Sequence, residues 1–236
     1  NALSQFLANP NALSHLYLRD TAAALDLVCG ALNRGTCHDI RELDISANKL
    51  SKSTPLGIFL RATSTLQKMS LRATTLSPEL LKEILAASSG NPYLKNLNFD
   101  ISGNALGLAG AKVIAAAVIN NIDSLNLSEN EFDDDSIVLL ANAFSNVECL
   151  KSMDISRNLK KGGNAKARSE SFDALINLVN SPTCKLEALM LAGGKGAFQL
   201  GTDIIPLFDG LSESFIKYLD VSNQALSNKG VAALGK

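Results

Sequence analysis

The chain has 236 residues, 46% of them apolar, only 5% aromatic and none tryptophan, with a formal net charge of −1. That balance supplies no overall field toward nucleic acid or an anionic membrane. No apolar run approaches the roughly 18 residues that span a bilayer, and the N-terminus carries no signal-peptide pattern. A core drawn mainly from Leu, Ile, Val and Ala suits narrow, regularly spaced layers better than an aromatic-centred globule.

Leu3, Phe6 and Leu7 read as the end of a helix stopped at Asn9-Pro10, so the chain is expected to begin within a repeating unit. Leu13, Leu16 and Leu18, with Thr21 following, precede an apolar helix over 22–32, and the next unit is Ile40, Leu43, Ile45, Asn48 and Leu50. The third is Leu66, Met69, Leu71, Thr74 and Leu76, with a helix opening at Ser77-Pro78-Glu79, a capping serine before a proline at the first helical position. In the fourth, YLKNLNFDISGNAL, Leu94 and Leu97 compete with Phe99 and Ile101 as the inward pair. Two extra residues reconcile them, because an insertion of two keeps the same side chains inward. The spacing therefore predicts a lengthened strand ahead of Asn104. IDSLNLSENEF, residues 122–132, is the plainest copy: Ile122, Leu125, Leu127, Asn130 and Phe132 stand at offsets 0, 3, 5, 8 and 10. Its helix is expected to start near Asp133-Asp134-Asp135, acids suited to the positive end of a helix dipole. Leu150, Met153, Ile155 and Asn158 form the sixth unit, Leu186, Leu189 and Leu191 with Gly194 the seventh, and Ile216, Leu219 and Val221 with Gln224 the eighth.

This spacing, LxxLxLxxNxL, is a leucine-rich repeat: a short strand, then a turn whose asparagine can bond backbone groups that would otherwise be unpaired. Units begin at 13, 40, 66, 96, 122, 150, 186 and 216, mostly 26 to 30 residues apart. That length predicts an α/β solenoid of the long, ribonuclease-inhibitor-like class, a horseshoe with parallel strands on the concave face and helices outside. Eight strands about 4.8 Å apart give an inner face of roughly 34 Å, suited to a protein partner rather than an enclosed small molecule. The expected domain is a single one over 1–236, about eight repeats, truncated at both ends.

No catalytic, cofactor or metal arrangement is readable. Cys29, Cys37, Cys149 and Cys184 lack C-x-x-C spacing and read as buried, reduced thiols in a cytosolic setting. Cys37-His38 offers too few ligands for a metal. Asn126-Leu127-Ser128 is a formal glycosylation sequon, but inside a strand. The segment 193–201, GGKGAFQLG, lacks Walker spacing, so its glycines are read as replacing the missing asparagine's turn. On the inner face, Tyr17, Arg19 and Arg72 are the leading partner-binding candidates, with Asp44, Asp100 and Asp154 along the same ladder. Arg157, Lys160, Lys161, Lys166 and Arg168 cluster after the sixth unit. Lys160 and Lys161 are candidates for an acidic protein or lipid. The plainer readings are that the ladder solvates the sheet and that the basic stretch is a mobile, solvated loop.

Three features also resemble the leucine-rich repeats of the CARMIL proteins, regulators of actin capping protein: the LSPE helix start at 76–79, the strand ending FDISGNAL, and the GxxGAKVIAAAV helix after it. The final LDVSNQALSNKGVAALGK and the irregular unit after Asn158 are similar too. The resemblance implies a non-enzymatic cytoplasmic scaffold for actin assembly near the plasma membrane, with protein partners and no cofactor or nucleic acid. It also implies that membrane binding, dimerisation and capping-protein binding belong to segments outside this chain. A tropomodulin-like pointed-end protein and a Ran-type GTPase activator remain as alternatives.

Overall fold

A computed structural model describes residues 2–9, 12–34, 39–117, 119–211 and 214–235. Cys37 and His38 lie outside the described residues. Strands and helices alternate throughout. The strands are β1 (His15–Tyr17), β2 (Glu42–Asp44), β3 (Lys68–Ser70), β4 (Leu97–Asp100), β5 (Ile122–Asn126), β6 (Ser152–Asp154), β7 (Ala188–Met190) and β8 (Tyr218–Asp220). The helices are α1 (Ala2–Ala8), α2 (Leu25–Arg34), α3 (Thr54–Ala62), α4 (Pro78–Ser89), α5 (Gly107–Ala116), α6 (Asp134–Phe144), α7 (Ala165–Val179), α8 (Ile205–Leu211) and α9 (Asn228–Leu234). They belong to two compact units, one made of 1–104 with 117–125, the other of 105–116 with 126–236.

In the first unit β1, β2, β3 and β4 pair in chain order, all parallel. The register aligns Leu16, Leu43, Met69 and Phe99 in one row, every one buried. Ile45, Leu71 and Ile101, two residues further along their chains, are buried as well, as period-2 alternation requires. Phe99, not Leu97, pairs with Met69, and Leu94 and Leu97 stay buried ahead of it. The expected two-residue insertion is thus present, with Asn96 in the left-handed region at φ 54°. In the second unit β6, β7 and β8 are parallel, with Met153, Leu189 and Leu219 in one row. Leu219 and Val221 are only half-buried. This is a leucine-rich-repeat fold of the long-repeat class.

The asparagines act as the spacing predicts. Asn158 Oδ1 accepts from the backbone N–H groups of Asn130 and Phe132 (2.8 and 3.2 Å), and its Nδ2 donates to the carbonyls of Leu127, Ile155 and Ser156. One side chain thereby serves two successive turns. Asn48 and Asn104 make the same bonds with the turns before them. Thr21 and Thr74 manage only one of them, Oγ1 to Leu18 O and to Leu71 O. The turns are tight. Residues just before and just after the asparagine position, such as Ala47, Ala73, Glu129, Glu131 and Arg157, take left-handed φ values of 51° to 61°. That conformation disfavours L-residues, so the buried amide network must hold it. The same strain explains a shorter helix than expected: Ala22 sits at φ 50°, Ala23 N–H donates to Asn48 Oδ1, and α2 starts only at Leu25.

Helix starts match their caps. Ser77 accepts from Leu80 N–H, with Pro78 in the first turn. Asp133, of the acidic run, accepts from Ser136 N–H. Cys29 and Cys184 are buried thiols, but Cys149 is only half-buried, since it lies in the connection between α6 and β6 rather than on an inward position. Burial pushes the Cys29 thiol up to about 12.

Candidate functional site

Each unit presents an open concavity lined by residues beyond its strands. In the first, Arg19, Ser46, Ala47, Arg72, Ala73 and Asp100 line an open cavity of about 530 Å³. Its walls come from residues at or just past the ends of β1, β2, β3 and β4. Arg19 Nε donates to Ser46 Oγ (3.2 Å) and Arg72 Nη1 to Ser102 Oγ (3.1 Å). The two guanidinium groups are therefore steered by serines of the following repeat, themselves buried. Arg19, Arg72 and Asp100 thus come together as three of the expected contact residues.

The aspartates of the ladder have a local task as well. Asp44 Oδ1 accepts from the N–H and Oγ of Ser46, Asp100 Oδ1 from those of Ser102, and Asp154 Oδ1 from the N–H of Ser156. Each is an Asx turn that closes its strand. Asp100 Oδ2 also accepts from Ser70 Oγ (3.1 Å). Ser46, Ser102, Ser128 and Ser156 are buried; Arg19 and Arg72 reach over the first two. Asn126, the sequon asparagine, closes its own turn on Ser128 in the same way. Tyr17 lies elsewhere on β1, where its hydroxyl donates to Glu42 Oε2 (2.5 Å). That bond, chiefly, raises the phenol's pKa. His15 Nε2 is 3.8 Å from the other Glu42 oxygen.

The second unit joins the two irregular stretches. Glu129, Glu131, Arg157, Gly193, Gly194, Lys195, Phe198, Gln199 and Asn223 line a cavity of about 710 Å³. Glu129, Arg157, Gly193 and Asn223 occupy one offset, the residue before the asparagine position, in four successive units. The sequence reading missed them as a set, and aligning the units on that position would have found it. Arg157 pairs with Glu129. Gly193 is needed for close approach: a Cβ there would run into the carbonyl oxygens of Asn223 and Phe198. The glycine-rich segment turns twice in 3-10 geometry, over Gly196–Phe198 and Gly201–Ile204. Gly194 N–H donates to Phe198 O (3.2 Å). This fits the expectation that glycines make the turn where asparagine is absent. Gln224 then spans the widened turn, accepting from Leu200 N–H (2.8 Å) and donating to Leu191 O (2.5 Å).

The basic stretch is not wholly a solvated loop. Arg168 is buried because it lies in α7, with Nε 2.6 Å from Asp134 Oδ1 and Nη2 3.2 Å from Oδ2. Ser171 Oγ donates to the same carboxylate. Arg168 Nη2 also donates to the Lys160 carbonyl (2.9 Å), fastening the lysine pair to the helix. Lys160 Nζ stands 5.7 Å from the centre of the Phe198 ring, within cation–π range. Lys161 is exposed. Among the described residues no group of three or more His, Cys, Asp or Glu could hold a metal ion, and no helix is long and apolar enough to cross a membrane.

Residues 1–236 match the family described as "CARMIL family, LRR domain". The protein CARMIL of Dictyostelium discoideum is 34% identical over 240 residues, covering 99% of this chain and 23% of that protein. The rat protein named capping protein, Arp2/3 and myosin-I linker protein 3 is 32% identical, covering 100% of this chain and 17% of its own length. The chain therefore spans less than a quarter of these relatives. A solved leucine-rich-repeat protein, LegL7 of Legionella pneumophila, superposes with a TM-score of 0.64 at 18% identity, covering 99% of this chain and 74% of its own. That likeness concerns the fold alone.

Proposed function

The chain belongs to the CARMIL family, within its leucine-rich-repeat domain, and on that premise we propose that it is a non-enzymatic protein-interaction surface serving actin regulation at membranes. The rat relative's name links capping protein, Arp2/3 and myosin-I, and partners of that cytoskeletal kind are what the reading assigns to the longer protein. Capping-protein binding, membrane attachment and dimerisation are assigned to segments outside these repeats. Within the chain, one observation carries the reading: Arg19 and Arg72 are held by serines of the following repeats, and Asp100 by Ser70 and Ser102, over a single open cavity. Guanidinium groups fixed in this way lose less side-chain freedom on binding than free lysines would. Tyr17 and Asp44 extend that face along β1 and β2.

The experiment presents purified capping protein, Arp2/3 complex and myosin-I separately to the immobilised chain. Capping protein should be retained weakly or not at all; strong retention would bring its site into the repeats. For a partner that is retained, Arg19→Glu with Arg72→Glu should weaken binding by about tenfold or more. The circular dichroism of the variant should stay unchanged, since both side chains are at least partly solvent-exposed. Unaltered affinity would remove the first cavity from the interface.

A further inference from the structure

Two stretches interrupt the repeat, one after Asn158 and one after Gly194, and they meet. Because both follow the asparagine position of adjacent units, the repeat lays them side by side. Lys160 reaches the Phe198 ring, the Arg157 methylenes lie over Gly194, and Lys161 Nζ is 3.9 Å from where a side chain on Gly201 would begin. The cavity between them, about 710 Å³, is of a size that takes several side chains of a ligand.

Its charge runs against that of the molecule. Arg157 and Lys195 line it and are matched by Glu129 and Glu131, with Arg157 already paired to Glu129. The surplus comes from Lys160, at the Phe198 ring, and Lys161, beside Gly201, which flank the cavity without lining it. The chain as a whole carries −1, so this local cationic surplus is a feature of the two loops. Lys195 is exposed and has no ion-pair partner among the described residues. Phe198, half-buried, gives the same cavity an apolar surface.

Much of the glycine-rich backbone is already committed: the N–H of Gly193 donates to Ser222 O, of Gly194 to Phe198 O, of Gln199 to Gly196 O, of Leu200 to Gln224 Oε1 and of Gly201 to Gln224 O. Anions are then met chiefly by side chains at the rim. A lipid surface fits poorly, because a flat array of headgroups cannot enter the cavity. A polypeptide can place an apolar side chain inside and carboxylates outside.

We propose that the cavity between the two inserted loops is a docking site for an acidic peptide segment of a protein partner, which sets an apolar side chain against Phe198 and its carboxylates against Lys160, Lys161 and Lys195. The inference rests on the protein-interaction reading and adds a second contact site to it.

The test is fluorescence anisotropy of the full 236-residue chain with a labelled peptide in which aspartates alternate with leucine and phenylalanine. A lysine-for-aspartate version and phosphatidylserine vesicles form the comparison arms. The aspartate peptide should bind and the lysine version should not. Binding should weaken about tenfold with Lys161→Glu plus Lys195→Glu, fall with Phe198→Ala, and survive Lys166→Glu, an exposed charge facing Glu170 instead. An aspartate peptide that fails to bind, or binds equally to all variants, overturns the proposal. So does vesicle binding that depends on Lys161 and Lys195 without peptide binding. Each of these failures leaves the effect of Arg19→Glu with Arg72→Glu intact, so the broader reading is judged separately.

Discussion

Arg168 and Asp134 form a charge pair whose side chains are only 9% and 12% exposed, which sets it apart from the other ion pairs among the described residues. Lys166–Glu170 and Lys217–Glu187 lie open to solvent, where such pairs contribute about 1 kcal/mol at most. In the buried pair, removing one partner strands the other charge, at a cost of about 3–5 kcal/mol, whereas replacing both with apolar groups is close to neutral. Arg168→Met should therefore lower the unfolding free energy in urea by about 3–5 kcal/mol, and Arg168→Met with Asp134→Leu should recover more than half of that loss. A residual deficit of about 1 kcal/mol is expected, because Asp134 also favours the N-terminal dipole of α6. If the double variant were as unstable as the single one, the pair would not be acting as a compensated charge. The single variant should also free the 158–164 stretch, which Arg168 holds through the Lys160 carbonyl.

At the level of the turn, Gln224 shows how an element absorbs an insertion. Where Asn158 accepts from two N–H groups directly ahead of it, the seventh unit has a longer path, and the available donor is Leu200 N–H. The extra methylene of glutamine lets one amide reach both Leu200 N and Leu191 O. Gln224→Asn, which restores the common repeat residue, should thus destabilise rather than stabilise, by about 1–3 kcal/mol for the buried polar groups it abandons. A urea midpoint equal to or above that of the native chain would refute this. The contrast also marks what could be read beforehand. The strands, the asparagine turns, the insertion before Phe99 and the caps at Ser77 and Asp133 follow from offsets within one unit, and local spacing encodes them. Arg168 with Asp134, and Lys160 with Phe198, are 34 and 38 residues apart. Their meeting depends on how unequal units are laid side by side, and no local pattern specifies that. The Asp-x-Ser spacing at Asp44, Asp100 and Asp154 is local, but the burial of Ser46 and Ser102 depends on Arg19 and Arg72 of the preceding repeats reaching over them.

Across the molecule, contacts run from each element to its chain neighbours. In the first unit α1 packs on α2, α2 on α3 and α3 on α4; in the second α5 packs on α6, α6 on α7, α7 on α8 and α8 on α9. Such an arrangement makes stability a sum of unit and nearest-neighbour contributions rather than the property of one shared core. Phe99 tests this because it is fully buried and sits in the row that continues through Met69 and Leu43. Phe99→Ala should cost about 3–5 kcal/mol by lost burial and the cavity left behind. The loss should be distributed unevenly. Amide hydrogen exchange followed by mass spectrometry should quicken most in β3, β4 and α4, while β7, β8 and α8 keep the protection they have in the native chain. A uniform rise in exchange over both units would mean that the chain unfolds as one cooperative body. The nearest-neighbour account would then fail, and with it the expectation that substitutions in the Arg19–Arg72 cavity leave the loop cavity of the second unit undisturbed.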